Sequence, residues 1–278
     1  MKFALATFPE RYVLPGRPSG GLPASMEAHK QARFLLGEDL DLFEQALNLQ
    51  LAIAAENRKA PSAQAAAILS PWSRAFTLLA DTCTLLCAGS YGSCPPLLRA
   101  ALDCIAAQRS MAGKGLEDFE EWATAAVTQA KEHQALALEL GRYRAASVLA
   151  EEEALGSIYR LLTELSMPHF GSTTLQVAPE TGLERASMGF ADTAFHLGWA
   201  ELTAGWLLLL TTVELETLAG QDALVVTQEQ GQTISTLSAG IVSSLRNSRR
   251  CRAEDVDGRF LFHNFRRTAS GQPKRVML

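Results

Sequence analysis

Residues 93–111, SCPPLLRAALDCIAAQRSM, constrain the fold of this chain more than any other stretch. Ser93 can cap a helix with its hydroxyl, and the two prolines after Cys94 suit a first helical turn, where no intrahelical N–H bond is lost. An apolar stripe follows at helical spacing, formed by Leu97, Leu98, Ala101, Leu102, Cys104 and Ile105. Alanines on the opposite face allow a second helix to come close. We therefore predict a central helix that is covered on both sides.

One charged pair interrupts this apolar helix. Arg99 and Asp103 are four residues apart, so they share a helix face. Because that face is also expected to be covered, we predict that the pair is partly buried. Two interpretations stay open: a structural ion pair that ties two helices together, or a pocket in which Arg99 holds an anion and Asp103 orients it.

Helical periodicity continues along most of the chain, with short runs of glycine and proline between the segments. The pattern predicts an all-α fold of roughly seven to nine helices in a single bundle, with almost no sheet. Pro71 is expected to split one helix, and residues 167–185 are expected to form a long polar loop. The predicted helices cover residues 25–36, 38–59, 62–69, 72–88, 93–111, 116–140, 143–166, 188–218 and 222–246.

The two ends of the chain differ from the helical part. Residues 1–24 are rich in proline and glycine and predict an irregular arm, with a short strand at residues 2–7. Residues 25–246 form the predicted bundle domain. Residues 247–278 are predicted to be a basic tail, which is a short hairpin, a partly disordered segment, or an arm that folds on a partner.

Charge is distributed unevenly between these regions. Nine lysines and arginines and three acidic residues follow position 245, a net charge of +6; since the whole chain carries −5, the rest carries −11. Such a basic end can contact nucleic acid or another polyanion, or dock on the acidic body of its own or a neighbouring chain. Its candidate phosphate contacts are Arg249, Arg250 and Arg252.

The sequence also predicts a compartment. The apolar residues 1–7 are followed at once by Pro9, Glu10 and Arg11, so we expect no secretion signal. The uncharged run at residues 202–213 is shorter than the about 20 residues that cross a bilayer, which predicts a core helix and no membrane contact. Five cysteines, an odd number, suggest free thiols in a reducing cytoplasm.

The pattern of cysteines, and the position of His196, indicate buried core residues rather than metal ligands. The sequence has no C-x2-C pair of the kind that holds zinc, although Cys83, Cys87, Cys94 and Cys104 fall in a short window. We therefore expect no metal and no cofactor. His196 lies in an apolar segment and is expected to be a satisfied core histidine, bonded to an acid such as Glu201.

The stretch LSMPHFGS contains the most reactive candidate, His169, at the predicted end of a helix. Ser166 and Ser172 lie beside it, and Tyr159 on the preceding helix can point to the same place. A histidine in this position caps helix carbonyls, or it serves as a proton carrier or anion ligand, because its charge changes near neutral pH.

These residues carry a resemblance to a known family. LLRAALD at residues 97–103 resembles the R-S-L-x-E helix of a bacterial all-helical family of unknown function, with Asp103 in place of the glutamate. In that family a later helix ends in Y-x(n)-L-S-x-x-x-H, and here Tyr159, Leu165, Ser166 and His169 follow this order, with the histidine one place early. The resemblance covers roughly residues 75–218.

That family is distantly similar to HEPN domains, helical bundles that often act as RNases or as partners of nucleotidyltransferases. The RNase members carry R-x(4–6)-H. In this chain the nearest arrangement is Arg160 followed by His169, with eight residues between them.

Three functions therefore stay open at this point. The first is a cytoplasmic module that binds a protein partner or an anionic ligand in a pocket around Arg99, Asp103 and His169, with Tyr159, Ser166 and Ser172 beside it. The second is a metal-independent RNase or nucleotide-processing enzyme of HEPN-like type, whose catalytic candidates are His169, Arg99 and Asp103. The third is a structural subunit that forms a homodimer.

Overall fold

The computed structural model describes residues 9–20, 22–58, 62–111, 114–133, 140–181, 187–266 and 274–278. Within these residues the chain is mostly helical, as predicted, and has one small sheet of three strands. The predicted strand at residues 2–7 lies outside the described residues. The helices are α1 (Pro23–Leu35), α2 (Gly37–Glu56), α3 (Ala63–Cys87), α4 (Cys94–Ser110), α5 (Lys114–His133), α6 (Ala145–Glu151), α7 (Glu153–Ser166), α8 (Phe170–Val177), α9 (Leu197–Ala219) and α10 (Gln228–Leu245), and the strands are β1 (Arg252–Val256), β2 (Arg259–His263) and β3 (Val276–Met277).

Helix α4 lies at the centre of the helical part, where it packs against α3, α6, α7 and α9. Its apolar stripe is fully buried at Leu98, Leu102 and Ile105. The two prolines occupy its first turn, as the sequence predicted, but the Ser93 side chain does not cap it; a 3₁₀ turn (Tyr91–Ser93) leads into the helix instead.

Helix α9 is apolar on every side and packs against α2, α3, α4 and α10. It is long and apolar enough to cross a membrane, but 78% of its most apolar window is buried inside the protein. Burial on all sides is the property of a core helix. It begins at Leu197, later than predicted, and Ala191 before it adopts a positive φ of 51° that a helix cannot contain.

The predicted break at Pro71 is wrong, because α3 continues through it. Proline removes one intrahelical hydrogen bond and costs about 3 kcal/mol inside a helix. Here Pro71 is itself buried, and the next residue, Trp72, is buried and donates its indole N–H to Gln50 of α2 at 2.9 Å. Tertiary packing on both sides of the proline outweighs the local cost.

Two further predictions fail between α5 and α9. The predicted loop at residues 167–185 contains α8, whose Ser172 and Leu175 are buried. The predicted helix at residues 143–166 is interrupted at Glu152, whose extended backbone separates α6 from α7. Helices α6 and α8 have only 7 and 8 residues and span about two turns each, so tertiary contacts rather than the local pattern decide whether they form.

Residues 252–263 form a β-hairpin. Strands β1 and β2 pair antiparallel, and β3 pairs with β2 on its other side. Asp257 and Gly258 connect β1 to β2 with positive φ angles of 52° and 80°, which is the geometry of a two-residue type I′ turn. Phe260 and Phe262 of β2 are buried in the same core as α4 and α9, so the hairpin packs on the helices.

A buried ion pair holds the segment that enters the hairpin. Arg250 lies 2.7 Å from Asp39 of α2, and the two side chains are only 9% and 8% exposed. Arg250 also donates to the backbone carbonyl of Glu201 in α9 at 3.1 Å, and Ser244 of α10 donates to Asp39 at 2.7 Å. One guanidinium therefore connects α2 and α9 to the start of the hairpin.

This anchor gives a stability prediction. Replacing Arg250 with alanine leaves the Asp39 carboxylate buried without its partner, so we expect Arg250→Ala to lower the free energy of unfolding by about 3–5 kcal/mol. The adjacent exposed residue provides the control: Arg249→Ala should change it by less than about 0.5 kcal/mol. Urea denaturation of both variants measures the difference, and equal effects would contradict the anchoring role.

Candidate functional site

The structure gives Arg99 a different partner from the one predicted. Its guanidinium donates a hydrogen bond to the hydroxyl of Tyr159 on α7 at 2.8 Å, and lies 5.2 Å from the centre of that ring. Arg99 and Asp103 are both half-buried, as expected, but Arg99 bonds to Tyr159 rather than pairing with Asp103. Burial raises the pKa of Asp103, while the Arg99 charge and the Tyr159 hydroxyl lower it. The three groups link α4 to α7.

His169 lies at the turn between α7 and α8, where it precedes the first residue of α8. Its Nε2 is 3.0 Å from the Glu164 carboxylate, and both side chains are about half exposed. Ser172 is buried and donates to the carbonyls of Met167 and His169, while Ser166 donates to the Leu162 carbonyl within α7. The serines therefore shape the turn and leave the imidazole facing solvent.

Among the residues that the structure describes, the cleft that His169 lines does not include Arg99 or Asp103. Arg99 and Asp103 face Tyr159 in the α4–α7 contact. His169 instead lines a separate cleft of about 400 Å³, and Arg99, Asp103 and Tyr159 are not among the residues that line it. We call this space the His169 cleft. Its lining residues come from α7, α8 and the hairpin: Arg160, Glu164, His169, Gly171, Ser172, Gly258, Arg259, Phe260 and Leu278.

Basic side chains from separate elements surround the His169 cleft. Arg160 of α7 is exposed and pairs with Asp255 of β1. Arg259, at the start of β2, is exposed and makes no ion pair with any residue that the structure describes. The first turn of α8 also lines the cleft, and N–H groups in a first helical turn have no carbonyl partner within the helix. The cleft thus combines cationic side chains with backbone donors, an arrangement that suits an anion.

The predicted basic cluster at the C-terminal end is only partly available to a ligand. Arg249 and Arg252 are exposed. Arg250 is buried against Asp39, so its assignment as a phosphate contact is wrong. The local sequence NSRRCR does not distinguish the three arginines, because Asp39, the ion-pair partner of Arg250, lies on α2, far away in the sequence.

A buried polar cluster between α4 and α9 was not predicted from the sequence. Glu214 of α9 is completely buried and accepts a hydrogen bond from Gln108 at 3.0 Å. Beside it, Arg109 donates to Thr217 at 2.8 Å and pairs with Glu152. Burial raises the pKa of Glu214 to about 8, although Gln108 and the Arg109 charge lower it. Glu214 is therefore mostly protonated near neutral pH.

His196 is mostly buried and is hydrogen-bonded, but its role and partner differ from the predicted ones. It is the N-cap of α9: its Nδ1 accepts the backbone N–H of Trp199 at 3.1 Å, and its Nε2 lies 2.9 Å from Glu180. Glu201, the predicted partner, instead accepts the backbone N–H of Cys251. Burial lowers the pKa of His196, in keeping with a neutral ring that accepts at one nitrogen.

The five cysteines are free thiols, as predicted. Cys83, Cys87 and Cys94 lie near one another in the core, whereas Cys104 lies near Asp103 and Glu214. In the part of the chain that the structure describes, no group of three or more histidine, cysteine or acidic side chains is arranged to hold a metal ion.

Comparisons of this chain with protein-family models, with curated proteins and with solved structures gave no match. The resemblance of residues 75–218 to the all-helical family and to HEPN domains therefore stays a prediction.

Glu214 makes the stability of the protein depend on pH. Its carboxyl holds a proton up to about pH 8 in the folded state and up to about pH 4.5 when unfolded. Between these values the folded state binds more protons, so this group lowers stability as the pH rises. Glu214→Gln stays neutral, so we expect its free energy of unfolding to rise relative to that of the unsubstituted protein from pH 5 to pH 8, by at most about 1.4 kcal/mol per pH unit.

Chemical denaturation at several pH values between 5 and 8 tests this expectation. The control is Glu216→Gln, which removes an exposed carboxylate from the same helix. A constant difference between Glu214→Gln and the unsubstituted protein across this range would show that Glu214 is already ionised in the folded state.

Proposed function

We propose that this chain is a binding module whose His169 cleft holds an anionic ligand that carries a phosphate or carboxylate group. The proposal keeps the anion ligand, His169 and Ser172 of the sequence prediction, and replaces Arg99 and Asp103 with Arg160 and Arg259. The observation that carries it is the convergence of Arg160, His169 and Arg259 on one cleft from three separate elements.

The charges in the cleft leave room for an anion. The Glu164 carboxylate faces His169, and Asp255 faces Arg160 from outside the cleft. Arg259 adds a positive charge that no described acidic side chain neutralises by an ion pair. A guanidinium binds a phosphate or carboxylate through two parallel N–H bonds, which makes Arg259 the first contact that we assign to the ligand.

The size and shape of the cleft agree with a small ligand. Its volume of about 400 Å³ lies within the usual range of ligand sites, about 300–1,000 Å³. Gly258 lines it with open space where a side chain would lie, so a ligand can approach the backbone of the hairpin turn, whereas Leu278 packs against Gly171. Phe260 and Leu278 supply an apolar wall.

Titration calorimetry with pyrophosphate at low ionic strength tests the proposal. We expect saturable binding that Arg259→Ala weakens by about tenfold or more, since one charge-assisted hydrogen bond contributes about 1.5–3 kcal/mol. Arg252→Ala removes an exposed arginine from the neighbouring strand and serves as the control. Equal affinities of the two variants would contradict the assignment of Arg259.

A second candidate function, RNA cleavage of the HEPN type without a metal ion, has one supporting observation. Arg160 and His169, the nearest match to the R-x(4–6)-H motif, line the same cleft. An imidazole beside an arginine can move a proton while the guanidinium holds a phosphate.

Incubation of the purified protein with mixed RNAs in a chelator tests this candidate. If the protein is such an enzyme, His169→Ala abolishes cleavage. The control variant His263→Ala removes a histidine that pairs with Glu254 on the hairpin, and it leaves cleavage unchanged. The absence of cleavage by the unsubstituted protein would exclude the enzyme while leaving the binding proposal intact.

We also propose that residues 25–246 act as one helical bundle domain, on which the hairpin packs as part of the binding site. The contacts of α4 with α3, α6, α7 and α9 support this arrangement. The homodimer and a nucleic-acid contact through Arg249 and Arg252 stay predictions.

A further inference from the structure

A second cavity lies between α5 and the segment that leads into α6, away from the His169 cleft. Its volume is about 360 Å³, and we call it the Trp122 pocket. Its walls combine aromatic and charged side chains: Phe119, Trp122, Tyr143, Asp118, Arg142 and Arg144. No recognised motif in α5 or in the segment at 141–144 predicts this pocket.

The aromatic wall is partly exposed. Phe119 and Trp122 are one helical turn apart on α5, their ring centres are 5.8 Å apart and their planes are inclined by 38°. Both rings are half-buried, and Tyr143 is exposed. The other three tryptophans of the chain, Trp72, Trp199 and Trp206, are buried, so Trp122 is distinguished by its access to solvent.

Glycine keeps the backbone close to the indole. A Cβ atom added at Gly141 would lie 3.1 Å from Cδ1 of Trp122, tighter than an ordinary contact. The backbone of residue 141 therefore packs against the edge of the indole and holds it in place. Gly115 also lines the pocket, and the Ser110 carbonyl fills the space that a side chain there would occupy.

The polar side of the pocket is cationic. Arg144 pairs with Asp118, which fixes both groups at the rim. Arg142 is exposed and makes no ion pair with the residues that the structure describes. One arginine is thus held in place and a second is available for an anion.

We propose that the Trp122 pocket binds a planar aromatic ligand that carries an anionic group. The ring stacks on Trp122 and Phe119, and the anionic group binds Arg142. A pocket with an apolar floor, an aromatic wall and a few charged groups at the rim is the usual form of a small-molecule site. The buried Met111 supplies part of that floor. This site is independent of the proposed function, because the two cavities share no lining residue.

Titration calorimetry with two probes, adenosine 5′-monophosphate and indole-3-acetate, tests the proposal. All titrations use a protein that carries Arg259→Ala, so that an anion in the His169 cleft does not contribute. We expect at least one probe to bind saturably below about 1 mM. Adenosine, which has the ring without the charge, should bind about tenfold more weakly than the nucleotide. Failure of both probes to bind, or equal binding of adenosine and the nucleotide, would overturn the proposal.

Variants locate the binding. Trp122→Leu should weaken the affinity for the probe by about tenfold or more. Trp122→Phe keeps an aromatic face and should retain most of the affinity. Arg142→Ala should have a similar effect to Trp122→Leu, and Arg246→Ala, an exposed arginine outside the pocket, should have none. Unchanged affinity in both Trp122→Leu and Arg142→Ala would overturn the proposal. Circular dichroism of each variant confirms that it is folded.

Discussion

The packing of α4 against its neighbours is the constraint on which the rest of the structure depends. Its apolar stripe is buried, and its polar residues face partners on other helices: Arg99 bonds to Tyr159 of α7, and Gln108 bonds to the buried Glu214 of α9. Since each of these polar groups is costly to bury alone, the contacts fix how α7 and α9 sit around α4. The position of α7 in turn fixes Arg160 and the start of α8, and therefore the His169 cleft.

The sequence predicts most of the helices, because their apolar positions recur over several turns. It fails where tertiary contacts override a local rule. Pro71 does not break α3, because the residues around it are buried. Helix α8 forms in a stretch that was predicted to be a loop, because Ser172 and Leu175 are buried. Arg250 shows the same limit for charge: the pattern predicts an exposed cation, but Asp39, far away in the sequence, buries it.

The candidate site is predictable only in its local part. His169 and Ser172 lie within one turn of each other, so a short motif brings them together. Arg99 lies 70 positions before His169 in the sequence and bonds to Tyr159 instead. Arg259 completes the cleft from a strand 90 positions later, and no spacing rule relates it to His169. Contacts of this kind depend on how the hairpin packs on the helices, which a single sequence does not show.

A crystal structure of the protein grown with pyrophosphate tests the central claim most directly. The proposed function predicts an anion in the His169 cleft, within hydrogen-bond distance of the Arg259 guanidinium and of the first-turn N–H groups of α8. Pyrophosphate bound elsewhere while the cleft holds only water, with Arg259 turned away from it, would contradict the claim.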